Sequence, residues 1–133
     1  MRLLFVCIAL VLATGAFAAD KPKAKAWQTL DNCRYADRKG NDGDSFGLQC
    51  GQQKFILRLY FVDSPETNLE FAERTREQAM HFGVSLDDTL NAGYRARDMV
   101  RSALGGQFVV LTRKAGAQGR SKDPRYYGLV SVG

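Results

Sequence analysis

Between residues 54 and 62 apolar and outward-facing positions alternate without a break. Phe55, Leu57, Leu59 and Phe61 share one face, and Ile56, Arg58, Tyr60 and Val62 share the other, the period-two signature of a β-strand. Residues 27–35 and 45–50 read as two further strands. They are separated by the turn-rich stretch 36–44, with Gly40, Asn41, Asp42 and Gly43 as breakers, and the tight connection Gly51-Gln52-Gln53 leads to the third. A three-stranded meander is predicted. The period then lengthens. Residues 69–82 hold Phe71, Ala72, Ala79 and Phe82 among Glu70, Glu73, Arg74, Glu77 and Gln78, and residues 87–104 place Leu90, Tyr94, Ala96, Met99, Val100 and Leu104 near helical spacing. Two helices are expected, the second capped by Asp87 or Asp88 and stopped by Gly105-Gly106. A β-branched fourth strand over 107–113, a loop over 115–124 rich in Gly and Lys/Arg, and a fifth strand over 126–132 complete the chain. The order of strands and helices suits an α+β protein: a five-stranded OB-type β-barrel with a helical insertion after strand 3. That order alone does not single out the fold. The chain stops just after the fifth strand, as a fragment or a minimal version would.

The N-terminus follows a different rule. Arg2 is followed by 17 uncharged residues before Asp20, and Ala16-Phe17-Ala18 offers small residues at the −3 and −1 positions of a cleavage site. A spanning helix needs roughly 20 apolar residues, so a membrane anchor is the weaker alternative. We expect residues 1–18 to be a signal peptide, 19–30 an N-terminal arm and the start of strand 1, and 31–133 one domain. The mature chain is then secreted or periplasmic, with no membrane association after cleavage.

Loss of the leader lowers Lys+Arg from 19 to 18 against 14 acids, a net charge of +4. This mild basic bias is compatible with a polyanionic partner without demonstrating one. Cys7 leaves with the leader, so Cys33 and Cys50 remain, and an even pair in an exported protein reads as a disulfide. Such a loop closure contributes roughly 3 kcal/mol. A two-cysteine metal site is the poorer alternative because His81 is the only histidine. The same scarcity argues against zinc hydrolases, histidine-dependent nucleases and Ser-His-Asp triads. Catalysis here has to run on carboxylates, arginines and a hard metal ion.

Residues 42–66 concentrate those groups. Arg58 stands mid-strand among apolar neighbours, where a guanidinium is costly unless an anion meets it. A structural salt bridge satisfies that requirement as well as a phosphate does. Directly downstream is Asp63-Ser64-Pro65-Glu66-Thr67, with Pro65 suited to position i+1 of a turn. The bend brings Asp63, Glu66 and Arg58 towards one mouth of the sheet, and Asp42-Gly43-Asp44 opens the preceding strand. Hard divalent ions prefer carboxylate and carbonyl oxygens, arginine grips phosphate in bidentate fashion, and a carboxylate can activate water. Taken singly, Asp42-Gly43 is also an ordinary turn and Glu66 an ordinary helix-start residue.

The segments Asp42-Gly43-Asp44-Ser45 and Arg58-Leu59-Tyr60-Phe61-Val62-Asp63-Ser64-Pro65-Glu66-Thr67 together resemble the thermonuclease (staphylococcal-nuclease-like) pattern, D-G-D-[ST] followed by R-L-x-x-[VI]-D-[ST]-P-E. The spacing between the halves fits without a gap, and the likeness runs from Asp31 onward, with 68–86 as an insertion. The resemblance implies Asp44 and Asp63 as Ca2+ ligands, Ser64 adding its backbone carbonyl. It implies Glu66 as general base and Arg58 as the arginine that holds the phosphate and offsets its growing charge. The family's second arginine lies in a D-x-Y-G-R segment, where this chain reads Asp123-Pro124-Arg125-Tyr126-Tyr127. Aligning Arg125 with it leaves the fifth strand ungapped and is preferred to Arg120. The competing alignment, on Gly128-Leu129, puts Tyr127 there instead. The family's C-terminal helices are absent.

The expectation is therefore an exported, monomeric, calcium-dependent endonuclease hydrolysing phosphodiester bonds of DNA or RNA. Two rivals remain: a non-catalytic OB-fold module that binds nucleic acid or protein, and an envelope-associated structural protein whose acids merely bind calcium. Around the last loop, Arg113, Lys114, Arg120 and Lys122 could track a phosphate backbone, though charged loops are usually just solvated. Tyr126 or Tyr127 could stack on a base, one of the two being expected in the core. His81 and Trp27 read as structural.

Overall fold

The three N-terminal strands form close to where the sequence pattern places them: β1 (Gln28–Ala36), β2 (Ser45–Cys50) and β3 (Gln53–Leu59), paired antiparallel in sequence order. The structure is a computed structural model that describes residues 25–117 and 122–133. The expected leader, residues 19–24 of the arm, and Arg120 lie outside the described residues. Cys33 and Cys50 are directly opposite one another in the β1–β2 ladder and are joined by a disulfide. The remaining strands are β4 (Phe108–Gly116) and β5 (Arg125–Ser131). β5 runs parallel to β3 and antiparallel to β4, and β4 pairs with β1, so the sheet closes into a ring in the order β1-β2-β3-β5-β4. Among the described strands, closure leaves no free sheet edge to template other chains.

Inside the ring, Phe46, Leu48, Phe55, Leu57, Phe108 and Val110 are almost wholly buried around the disulfide, with Leu104 joining them from the helical segment. Each such side chain stabilises by about 1.5–3 kcal/mol relative to exposure. Two helices fill the insertion between β3 and β4. A single 3-10 turn, Leu69–Phe71, leads into α1 (Ala72–Phe82), which stops at Gly83 in a left-handed conformation, and α2 (Leu86–Ala103) follows. Among the described residues no helix is long and apolar enough to cross a membrane.

Three local expectations are corrected. The cap of α2 is Ser85, not Asp87 or Asp88. Its Oγ accepts the Asp88 N–H at 3.0 Å and donates to the Asp88 carboxylate at 2.7 Å, a reciprocal pair that satisfies a free helix-end donor. Of the residues taken as the apolar face of α1, only Ala79 is buried. Thr75 is buried as well, while Phe71 and Phe82 are exposed. Third, β3 ends at Leu59, three residues short of the predicted boundary. Phe61, expected on the face of Phe55, Leu57 and Leu59, has φ of 61° and is fully exposed. The last ladder step is Leu59 beside Gly128. Beyond it the chain turns through Phe61, so that Ser64 N–H reaches the Asp44 carboxylate on β2's approach at 2.7 Å.

Candidate functional site

Arg58 is where the predicted chemistry begins. It pairs with Ser45 across β2–β3 and with Tyr127 across β3–β5, which places all three on the outer face of the ring. Its guanidinium is met by two carboxylates: Nη1 by Asp44, and Nη2 by Asp63 at 2.9 Å. Asp44 is almost fully buried, with its second oxygen taking the Ser64 N–H. Asp63 is largely exposed and also accepts from Arg74. The tight bend before β2 is held by Asp42, whose Oδ1 accepts from the Asp44 and Ser45 N–H groups at 3.0 and 2.6 Å. Burial, and then the charge of Asp44, push the Asp42 carboxyl up to about 7.

Glu66 lines the same cleft as Arg58, with its side chain mostly buried. Arg74 Nη1 approaches its Oε1 at 3.3 Å. Burial raises its pKa above the ordinary carboxylate value. Arg74 pulls the other way, Asp44 adds to the rise, and Arg58 again opposes it. The backbone of this turn rests on α2. A Cβ at Gly93 would lie 2.2 Å from the Glu66 carbonyl oxygen and 2.8 Å from that of Pro65, so only glycine permits this approach. One turn along α2, Ala96 meets the other loop, for a Cβ at Gly43 would fall 2.6 Å from the Ala96 Cβ. The helix is a common bed for the Asp42–Asp44 and Asp63–Glu66 loops, which are distant in sequence.

Arg125 begins β5, beside Ile56, and its Nη2 donates to the Ser45 hydroxyl. It stands two residues from Tyr127 on the same face, so both sequence alignments lead to residues of one cleft. That cleft has a volume of about 850 Å3 and is lined by Asp42, Ser45, Arg58, Glu66, Arg74, Arg125 and Tyr127, with Arg38 and Lys39 at the β1–β2 loop. Five cationic side chains therefore face it. Ser64, named for its carbonyl, is buried, and that oxygen accepts from Gln78 Nε2 at 3.4 Å while Gln78 Oε1 is itself buried without a partner. Among the described residues no three His, Cys, Asp or Glu side chains converge as a ligand set. The carboxylates are linked through guanidinium groups instead: Arg58 bridges Asp44 and Asp63, and Arg74 bridges Asp63 and Glu66.

Sequence reasoning missed Arg74, Gln78 and Gly93. Arg74 stands eight residues after Glu66 in a charged helix, and nothing local distinguishes it from its solvated neighbours. Gly93 carries a faint signal, since an isolated glycine inside a helical pattern usually has a packing reason. Of the four basic residues around the last loop, Arg113 lies over the Trp27 ring at 4.7 Å, and the Lys114 amine bonds Gln53 Oε1 at 2.7 Å. Compared with protein-family models, curated proteins and solved structures, the chain gives no match.

Proposed function

We propose that this chain is a calcium-dependent phosphodiesterase of the thermonuclease type, built on an OB-type barrel, exported as a monomer, and hydrolysing DNA or RNA. The observation that carries the reading is the pairing of Arg58 with Asp44 and Asp63, and of Arg74 with Asp63 and Glu66, beside a cleft that Arg58 and Glu66 line and five cationic side chains face. The donor set suits calcium. Asp44, Asp63 and the Ser64 carbonyl are hard oxygen donors, and a single cationic group already bridges the two carboxylates. Bound there, calcium would supply positive charge to offset that of the phosphate.

The chain's own residues do the rest. Arg58 exchanges its carboxylate partners for the phosphate and offsets charge that builds in the transition state. Glu66 takes a proton from the attacking water as its oxygen bonds to phosphorus and the bond to the leaving oxygen breaks. A pKa raised by burial makes it a stronger base than an exposed glutamate. Arg125 covers a second side of the phosphate, held at the cleft wall by Ser45.

The Arg74–Glu66 pair favours one second reading: a non-catalytic nucleic-acid-binding module in which arginine simply neutralises the carboxylate. Incubating the refolded protein with denatured DNA, with calcium or with chelator, separates the two. Calcium-dependent hydrolysis is expected. Binding without hydrolysis would establish the module, and full activity in excess chelator would remove calcium from the proposal.

A further inference from the structure

Phe61 is a large apolar side chain with no shelter and a backbone conformation that L-residues avoid. It is fully exposed at φ 61°, and for a bulky residue a positive φ is an outlier that costs stability. Neither burial nor local geometry accounts for it. Its ring is the end of a continuous aromatic row. Phe61 lies 5.7 Å from Tyr60, and Tyr60 stacks on Tyr127 at 5.1 Å with an interplanar angle of 27°. Trp27 meets Tyr60 edge-on at 5.8 Å and carries Arg113 over its own ring. Tyr60 is fixed in place, because its N–H bonds the Gly128 carbonyl at 3.0 Å. Tyr127 in turn lines the cationic cleft beside Arg58.

We infer that Phe61, backed by Tyr60 and Tyr127, is a nucleobase-stacking site for a single-stranded segment whose phosphates enter the cleft at Arg58 and Arg125. This deepens the nuclease proposal and rests on it for the position of the phosphate. The charge pattern selects the occupant. Guanidinium groups flank the two arms of the cluster that lead away from Phe61, Arg58 beside Tyr127 and Arg113 over Trp27, which suits a polyanion bearing flat apolar groups. A paired duplex hides its base faces, whereas an unpaired base has one to offer, and exposed aromatics on a cationic surface take it without sequence preference. The strained turn at Phe61 is what holds the ring out of the core.

The test is binding without turnover, in excess chelator, by fluorescence anisotropy. The probes are a labelled oligothymidylate, an abasic oligomer of equal length and charge, and a duplex. The parent protein should bind the oligothymidylate about five- to ten-fold more tightly than the abasic oligomer, the lower part of the range for one base stacked on an exposed ring. Phe61→Ala should erase that difference and leave abasic binding intact, and Phe61→Tyr should restore it. Phe61→Gly relieves the left-handed strain, so it should raise Tm while losing the base-dependent part of binding. Equal affinity of the parent for both single strands, or a preference unchanged in Phe61→Ala, would overturn the inference, as would tighter binding of the duplex. Calcium-dependent hydrolysis of denatured DNA by the parent is scored separately, so failure of the nuclease proposal is distinguishable from failure of the stacking site.

Discussion

Replacing Gly93 by alanine would put a methyl carbon 2.2 Å from the Glu66 carbonyl oxygen, where non-bonded contacts to a Cβ do not fall below 3.0 Å. The Pro65–Glu66 backbone must then retreat from α2 by about 0.8 Å, the difference between those distances. Two energies compete. Alanine is favoured over glycine inside a helix by about 1 kcal/mol, while overpacking a tight contact costs about 1–3 kcal/mol. The net loss of stability is therefore small, on the order of 0–2 kcal/mol. Function is far more sensitive, since displacing a catalytic group by ~1 Å can cost ~10²-fold in rate. The expected result is a urea midpoint close to the parent's and turnover of denatured DNA lowered by about two orders of magnitude. Trp27 fluorescence reports the unfolding, and initial rates in calcium report the chemistry. A Gly93→Ala protein about 1 kcal/mol more stable than the parent, with full turnover, would show helix propensity acting alone. It would refute both the contact and the placement of Glu66.

Glu66→Gln should retain calcium binding by calorimetry and lose ~10²–10⁴ in kcat, while Asp44→Ala or Asp63→Ala should lose calcium affinity and activity together. Parental kcat in the Glu66→Gln enzyme would remove Glu66 as the base. Arg125→Lys keeps the charge but not the fork, and should reduce kcat far more than calcium affinity. Should it match the parent while Arg58→Lys does not, Arg125 is no phosphate clamp. Asp42 provides a test by pH in chelator. Its folded pKa of about 7 lies above the unfolded carboxylate value, so the folded state holds its proton more tightly. Its contribution is complete below about pH 4 and is lost as pH rises through 7, an effect on the order of 2–4 kcal/mol. Asp42→Asn preserves an acceptor for the Asp44 and Ser45 N–H groups without the charge, so its unfolding free energy should fall less across that window. Superimposable pH profiles would refute the assignment.

Much of this molecule was legible from local pattern because the forces concerned are local. Alternation defines most of β3, since a strand with one face in the core sends every second side chain inward. The insertion reads as helical from its spacing, and the pair Cys33 and Cys50 stands out by parity in a chain poor in other ligands. The likeness of 42–45 and 58–67 to a nuclease pattern singled out Arg58, Asp44, Asp63 and Glu66; Arg58 pairs with both aspartates, and Arg58 and Glu66 line one cleft.

What only the tertiary structure decided has no local signature. Strict alternation carried the third strand to Val62, but Leu59 is its last rung, and bringing Ser64 to Asp44 requires a left-handed residue that throws Phe61 outward. Arg74 enters the site because α1 folds back over the Asp63–Glu66 turn, an arrangement set by long-range packing that helical periodicity cannot reveal. Gly93 matters because another segment's carbonyl occupies the space of a side chain, and a sequence records the residue but not its neighbour. The neighbouring places of Tyr127 and Arg125 follow from the parallel register of β5 on β3, fixed only when the ring closes. Period and composition are properties of adjacent residues and survive in the sequence. Which loops meet, which charges pair and which ring is left exposed depend on groups brought together across the chain, and those were determined by closure of the sheet and the seating of α2.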